Sequence, residues 1–346
     1  MNQPDEQIRN YTEGDETAIV RLFNDVFAAE RTVERWAWQF QDHVQGAGWI
    51  TLAEAGDEIV GQYCMMRNHL NFMGREICAG QSCDTMVRSD QRGKRWFVRL
   101  ASANYEYAAG TGMKAVFGFP NRASYPGFMR SLLWHRITAL RHYYYRIGYR
   151  RIWGAGIDRI YKFFHKMILT KKTAGLRYRA GESRIETTAH LPDEIEGLCA
   201  ELLNYEVLSI WKDLKYLRWR YENHPDNRYT FHILWVADRP ECLIVTMEKG
   251  RDIAICDLLS RTKNIRQAAS LLAYVIRLYQ ATSAQVIHFF GYDDGFFDSV
   301  FILCGFSAEY SGDYVFGGRV FGDGDLANKY VIPQNWTIAY GDTDFL

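Results

Sequence analysis

The chain has 346 residues, more than one ordinary hydrophobic core organises, so length favours two domains. Hydrophobic residues make up 48 % and aromatic residues 15 %, which excludes a largely disordered chain, and no run of eighteen uncharged apolar residues offers a membrane-spanning helix. Lys and Arg balance Asp and Glu at 41 each, which argues against polyanion binding by the chain as a whole, yet between Arg130 and Arg184 fourteen bases face two acids.

The seven cysteines are odd in number, contain no C-x-x-C pair and mostly sit in apolar runs, the pattern of reduced, buried thiols. The first residues, Met1-Asn2-Gln3-Pro4-Asp5-Glu6, are polar and acidic rather than basic then apolar, so a cytoplasmic location is expected.

Gln7 to Tyr11 reads as a short strand. Thr12 to Asp15 resembles a capping box, after which Ala18, Ile19, Leu22, Phe23, Val26 and Phe27 fall at helical spacing. A second helical stretch carries Trp36, Trp38 and Phe40, and residues 49–53, 59–66 and 77–87 then read as a three-stranded meander. Phe97, Leu100, Ala101, Tyr105 and Ala108 mark one face of a helix that Gly110-Thr111-Gly112 ends, and residues 114–119 read as a buried strand. Asn121 opens a further helix with Pro126 in its first turn.

The second half repeats this order. Helices are expected around 194–203 and 214–221, strands over 230–237, 243–248 and 253–259, a helix over 265–281, a strand over 285–290 and a helix over 296–303. An internal duplication of architecture, without an obvious duplication of sequence, explains that succession. Between the copies, residues 136–184 read as a basic, aromatic, helical linker. Its side chains either pack on both domains, contact anionic saccharides or lipid phosphates at a membrane surface, or bind nucleic acid; no recognition motif accompanies the last reading.

The most specific local signal is Asp84-Thr85-Met86-Val87 followed by Arg88 to Arg95, a strand that passes through a polar turn into a helix. Such a junction presents unpaired amides and the positive end of a helix dipole, where phosphates bind. This segment resembles the acyl-CoA signature of the GNAT N-acyltransferases, in which Arg or Gln is followed after two residues by Gly and, one further on, by Gly or Ala. With Arg92 in first place, Arg95 and Phe97 occupy the two glycine positions. The chain also resembles tandem acyltransferases associated with polysaccharide biosynthesis through Gln81 to Val87, Arg92-Gly93, Gly118-Phe119-Pro120-Asn121, Ser124-Tyr125-Pro126-Gly127-Phe128, Tyr216 to Tyr221 and Trp336 to Asp344.

The resemblance implies an α/β (α+β) fold of two tandem GNAT-like domains, each a mixed, mostly antiparallel sheet flanked by helices. Residues 1–135 would form the acyl-CoA domain and 185–346 a degenerate copy, since the turn after Cys256-Asp257 lacks glycine. It implies acetyl-CoA or another acyl-CoA as donor, no metal, and transfer to an amine of a small acceptor such as an amino sugar. Backbone groups of Thr85, Met86 and Val87 would run along the pantetheine arm, and amides of Arg92, Gly93, Lys94, Arg95 and Trp96 would cradle the pyrophosphate. Arg95, with ordinary helical dihedrals, either pairs with a phosphate or narrows the cleft until CoA binding is lost.

Asp84 is the sole carboxylate of its strand and stands either as general base or as a structural cap of nearby amides. Strict alternation places it on the face of Ser82 and Met86, with Gln81, Cys83 and Thr85 opposite. Asn121 and Ser124 bind the cofactor arm, or Asn121 is a helix N-cap. Tyr125 either protonates the leaving thiolate or packs. The nine histidines form no metal-like pair.

Overall fold

The computed structural model describes residues 6–147 and 183–345. In the first half, β1 (Glu6–Asn10) leads to α1 (Glu16–Phe27), which buries Ile19, Val20 and Leu22, and α2 (Val33–Phe40) starts at Thr32, whose hydroxyl accepts the Arg35 N–H at 3.1 Å. The meander follows as β2 (Trp49–Ala55), β3 (Glu58–Phe72) and β4 (Arg75–Val87), then α3 (Trp96–Gly110) and β5 (Ala115–Gly118). The helix expected after Asn121 is a single turn that widens into a π-turn over Gly127–Ser131.

The expected helical linker is instead a strand where it is described. β6 (His135–Arg146) buries Ile137, Leu140, Tyr143 and Tyr145 and is hydrogen-bonded on both edges, which overrides any helical reading. Residues 148–182, the remainder of that basic stretch, lie outside the described residues.

The second half runs β7 (Ser183–Thr188), α4 (Ile195–Tyr205), β8 (Leu208–Ile210), α5 (Leu214–Leu217) continuing as a π-turn over Arg218–Glu222, then β9 (Tyr229–Val236), β10 (Arg239–Lys249) and β11 (Asp252–Ser260). It closes with α6 (Ile265–Gln280), β12 (Val286–Tyr292), α7 (Phe296–Leu303), β13 (Ser307–Val320), α8 (Asp325–Tyr330) and β14 (Ile338–Ala339). No helix among the described residues is long and apolar enough to cross a membrane.

Among the described residues fourteen strands join one sheet, whose main path is β1-β2-β3-β4-β5-β13-β6-β12-β11-β10-β9-β7, with β14 on β12 and β8 on β3. The parallel pairs are β4–β5 and β11–β12, and each sits at the same place in its half; every other pair is antiparallel. The last strands are exchanged. β13 from the second half pairs with β5, and β6 from the first half pairs with β12, so neither half completes its sheet without the other.

The halves also meet through matching segments. Trp38-Gln39-Phe40-Gln41-Asp42-His43 and Trp219-Arg220-Tyr221-Glu222-Asn223-His224 share tryptophan, aromatic, amide-or-acid and histidine positions. Trp38 stacks on Trp219 at 4.5 Å between centroids, Trp38 meets His224 at 4.7 Å, and Trp219 meets His43 at 4.0 Å. Contacts of i with j matched by j with i are the mark of a two-fold relation.

Candidate active site

The β4–β5 ladder runs from Ala79↔Ala115 to Ser82↔Gly118 and stops there. Gly118 sits at that end because its backbone passes close to Ser82; a Cβ would lie 2.9 Å from the Ser82 carbonyl oxygen. Past it, β4 stays on β3 through Met86↔Gln62 and Val87↔Gly61, while the other chain turns away at Phe119-Pro120-Asn121. The edge of Cys83 to Val87 that faces β5 is therefore without a strand partner among the described residues.

A β-bulge shapes this edge. Cys64 faces Cys83 and Gln62 faces Met86, so Asp84 and Thr85 together stand opposite Tyr63, and Asp84 takes φ 46°. The bulge breaks the strict alternation expected from the sequence: Cys83 and Met86 fall in the same apolar cluster rather than on opposite faces.

A cleft of about 340 Å³ opens at the divergence. Ser82 to Thr85 line one side, and Phe119, Pro120, Asn121 and Ser124 the other. It is lined from both faces of the sheet: Phe128 and Trp134 belong to the core under α3, whereas Cys83 and Phe119 belong to the core under α1 and α2. Phe23 and Phe27 of α1, Arg31, Asp344 and Phe345 complete the wall.

Of the sequence-predicted residues, Asp84, Thr85, Asn121 and Ser124 are brought together here. The Asp84 carboxylate is bound by both terminal nitrogens of Arg31, the longer contact at 3.3 Å, and the guanidinium lies 3.6 Å over the Phe23 ring. Asn121 Oδ1 accepts the N–H groups of Ala123 and Ser124, each at 3.0 Å, so its side chain caps the following turn. Tyr125 is half-buried and does not line the cleft. Met86 and Trp96 bury their side chains at 2 % exposure, leaving only backbone groups to offer a ligand.

The turn at Arg92, Gly93, Lys94 and Arg95 lies apart from the cleft lining. Arg95 does not have the helical dihedrals expected of it: at φ 60°, ψ 21° it is the left-handed N-cap of α3, with Gly93 also left-handed at φ 87°. The first intrahelical bond runs from the Arg99 N–H to Arg95 O at 3.1 Å, so the amides of Trp96, Phe97 and Val98 precede the ladder. Lys94 Nζ is held by Glu6 at 2.8 Å and Gln91 at 2.7 Å.

Arg31, Phe23, Phe27, Trp134, Asp344 and Phe345 escaped the sequence reading. Asp344 is the most consequential. Its Oδ1 is buried with no hydrogen-bond partner among the described residues, and burial together with the nearby Asp84 charge pushes its carboxyl up to about 7. The folded chain thus keeps a proton that the unfolded chain releases near pH 4, so destabilisation accumulates as pH rises from about 4 to 7. Asp344→Asn removes this cost. The variant should be more stable than the wild type by on the order of 2 kcal/mol at pH 8, with the gap closing toward pH 4 in urea unfolding curves. Equal stability at both pH values would show that Asp344 ionises as freely as in the unfolded chain.

Among the described residues no three His, Cys, Asp or Glu side chains converge as metal ligands. The seven cysteines are free thiols and all but Cys78 are buried.

The described residues thus form a mixed, mostly antiparallel sheet flanked by helices, with a split between the parallel strands β4 and β5. Residues 7–137 match the family model of the acetyltransferase (GNAT) domain. Among solved structures the chain is similar to a conserved protein of unknown function and probable N-acyltransferase from Enterococcus faecalis V583, with TM-score 0.68, 12 % identity, and coverage of 91 % of this chain and 73 % of that one. It is also similar to GCN5-related N-acetyltransferases from Kribbella flavida (TM-score 0.61, 13 % identity, 91 % and 72 % covered) and Anabaena variabilis (TM-score 0.65, 8 % identity, 91 % and 73 % covered). At such identities the likeness is one of fold. No curated protein sequence matches the chain.

Proposed function

We propose that the protein is an acyl-CoA-dependent N-acyltransferase built from two tandem GNAT-like units, 1–135 and 185–346, with its acyl site in the first. The observation that carries this reading is the cleft between β4 and β5, which is lined by residues from both faces of the sheet. A donor entering from the α3 face and an acceptor from the α1 face meet there without an enzyme nucleophile. The free backbone edge of Thr85, Met86 and Val87 suits the amides of a pantetheine arm, which would add to β4 as a strand does. The amides ahead of the α3 ladder, from Arg92 to Trp96, would receive the pyrophosphate at the positive end of the helix. Asn121 and Ser124 would flank the arm.

The acceptor is an amine of a small polar molecule such as an amino sugar, in keeping with a role in polysaccharide biosynthesis. Rings at Phe23, Phe27 and Phe345 can cover the apolar face of a pyranose, while carboxyl groups at Asp84 and Asp344 attract its amine. The amine nitrogen bonds to the thioester carbonyl carbon as the C–S bond breaks, and its proton leaves toward the carboxyl-lined wall of the cleft.

Calorimetric titration with acetyl-CoA tests the reading. Micromolar binding is expected, weakened about tenfold by Arg95→Glu, which places a negative charge at the proposed pyrophosphate turn, a loss of roughly 1.4 kcal/mol. No heat with acetyl-CoA or longer acyl-CoAs would leave a non-catalytic module that binds a saccharide or a protein.

A further inference from the structure

The two halves carry corresponding ion pairs. Arg31 stands two residues before α2 and binds Asp84 of β4; Lys212 stands two residues before α5 and binds Asp257 of β11 at 2.6 Å. Each basic residue precedes its stacked tryptophan by the same interval, Arg31 to Trp38 and Lys212 to Trp219, and each aspartate follows a cysteine, Cys83 or Cys256. Both strands bulge at that point, where Val245 faces Asp257 and Thr246 faces Ile255. The β11–β12 ladder ends at Ile255↔Phe289, as the β4–β5 ladder ends at Ser82↔Gly118.

What fills the two gaps differs. In the first half the gap is the cleft. In the second, β14 enters it: Ile338 pairs with Tyr292 and Ala339 with Gly291 of β12. Lys212 Nζ then reaches Asp342 at 2.7 Å as well as Asp257, and Gly341 passes so close that a Cβ would lie 2.9 Å from Asp257 Oδ2. The same short tail crosses to the first half. Arg220 holds the carbonyls of Gly341 at 2.9 Å and Thr343 at 2.7 Å, and Gln81 of β4 donates to the Asp342 carbonyl at 3.0 Å. The next side chain along the tail is Asp344, in the cleft wall.

We propose that the second half completes the cleft of the first, its own strand gap gripping the tail so that Asp344 is presented as the group that takes the proton of the acceptor amine. Asp84 is engaged by Arg31, whereas Asp344, a residue of the cleft wall, has a buried Oδ1 with no partner among the described residues. The charged groups that face Asp344 are Asp84 of β4, Arg31 ahead of α2 and Arg220 of the α5 π-turn. A carboxyl held near neutrality accepts a proton and gives it back at working pH. In the step, the C–N bond forms and the C–S bond breaks; one N–H proton passes to the Asp344 carboxylate and returns through solvent to the CoA thiolate, leaving amide and thiol. Lys212, Asp257, Asp342 and Arg220 are positioning residues.

The inference rests on the acyl-transfer reading, so two independent readouts separate them. The first is a 13C-carboxyl NMR titration of the full chain, with the Asp344 signal assigned by its absence in Asp344→Asn. A midpoint near 7, falling in Asp84→Asn, is expected; a midpoint in the ordinary carboxylate range overturns the proposal. The second uses acetyl-CoA with glucosamine as the amine, following thiol release. Asp344→Asn should bind acetyl-CoA as the wild type does yet lose roughly 100-fold in kcat and the rise of activity through pH 7. Asp342→Asn should keep acetyl-CoA affinity and shift that rise. Unchanged kcat and profile in Asp344→Asn overturn the proposal, whereas failure of the wild type to bind acetyl-CoA overturns the acyl-transfer reading and is seen before any variant is made.

Discussion

Lys212→Met should destabilise the protein by about 3–5 kcal/mol at pH 8, as expected when one partner of a buried ionic cluster is removed. Lys212 is 7 % exposed and bridges Asp257 and Asp342, both fully shielded, with the Tyr221 hydroxyl donating to Asp257. Burial alone would lower the lysine's proton affinity, but the two carboxylates hold it above its ordinary range. Methionine fills the space and leaves two carboxylates facing each other. Asp342 already lies at about 6 because it is buried, with Lys212 opposing the rise. Without the ammonium Asp342 will hold its proton to higher pH in the folded chain, so the variant loses stability as pH rises. The gap between variant and wild type should therefore be smaller at pH 5.5 than at pH 8 in guanidinium unfolding. A loss below about 1 kcal/mol at pH 8 would mean that water reaches the cluster.

Trp38→Ala and Trp219→Ala should each cost about 3–5 kcal/mol, the usual range for deleting a buried tryptophan. The rings are 8 % and 5 % exposed and stack at an interplanar angle of 10°, so each alanine removes the same contact from its partner. The double variant should accordingly lose less than the sum of the two, by about 0.5–1.5 kcal/mol. Strict additivity in that cycle would show that the two segments pack independently, and would remove the energetic basis for treating them as one reciprocal interface.

The repeated hexapeptide illustrates how a signal can be present in a sequence and still be missed. Only Trp and His are shared between Trp38 to His43 and Trp219 to His224, a match too sparse to find by eye. It becomes visible once the two tryptophans are seen stacked. Had it been aligned first, it would have set Arg31 beside Lys212 and drawn attention to the basic residue that meets each bulge aspartate.

The elements themselves were legible. Helical spacing located α1, α3, α4, α6 and α7, and strand-like runs located the meanders β2–β4 and β9–β11, because buried faces impose their period directly on neighbouring residues. Four residues of the cleft, Asp84, Thr85, Asn121 and Ser124, were expected from the acyltransferase resemblance, which falls on one strand end and one turn. β6, β13 and β14 were not. Their strand character comes from partners far along the chain, such as Gly318 for His135 and, closer, Gly291 for Ala339, or from an exchange that no local pattern records.

What the sequence determined by itself is most of the helices, the two meanders, their similar succession along the chain and the strand-to-helix turn at Arg92 to Trp96. What the tertiary structure decided is where chemistry can occur. A bulge at Asp84 cancels the period-two face assignment, the divergence of β4 from β5 makes the cleft, and a tail anchored in one half carries Asp344 into the other. Each depends on distant segments competing for the same hydrogen bonds and buried space, and the proton affinity of Asp344 in turn depends on that burial and on a charge 260 positions away in the chain.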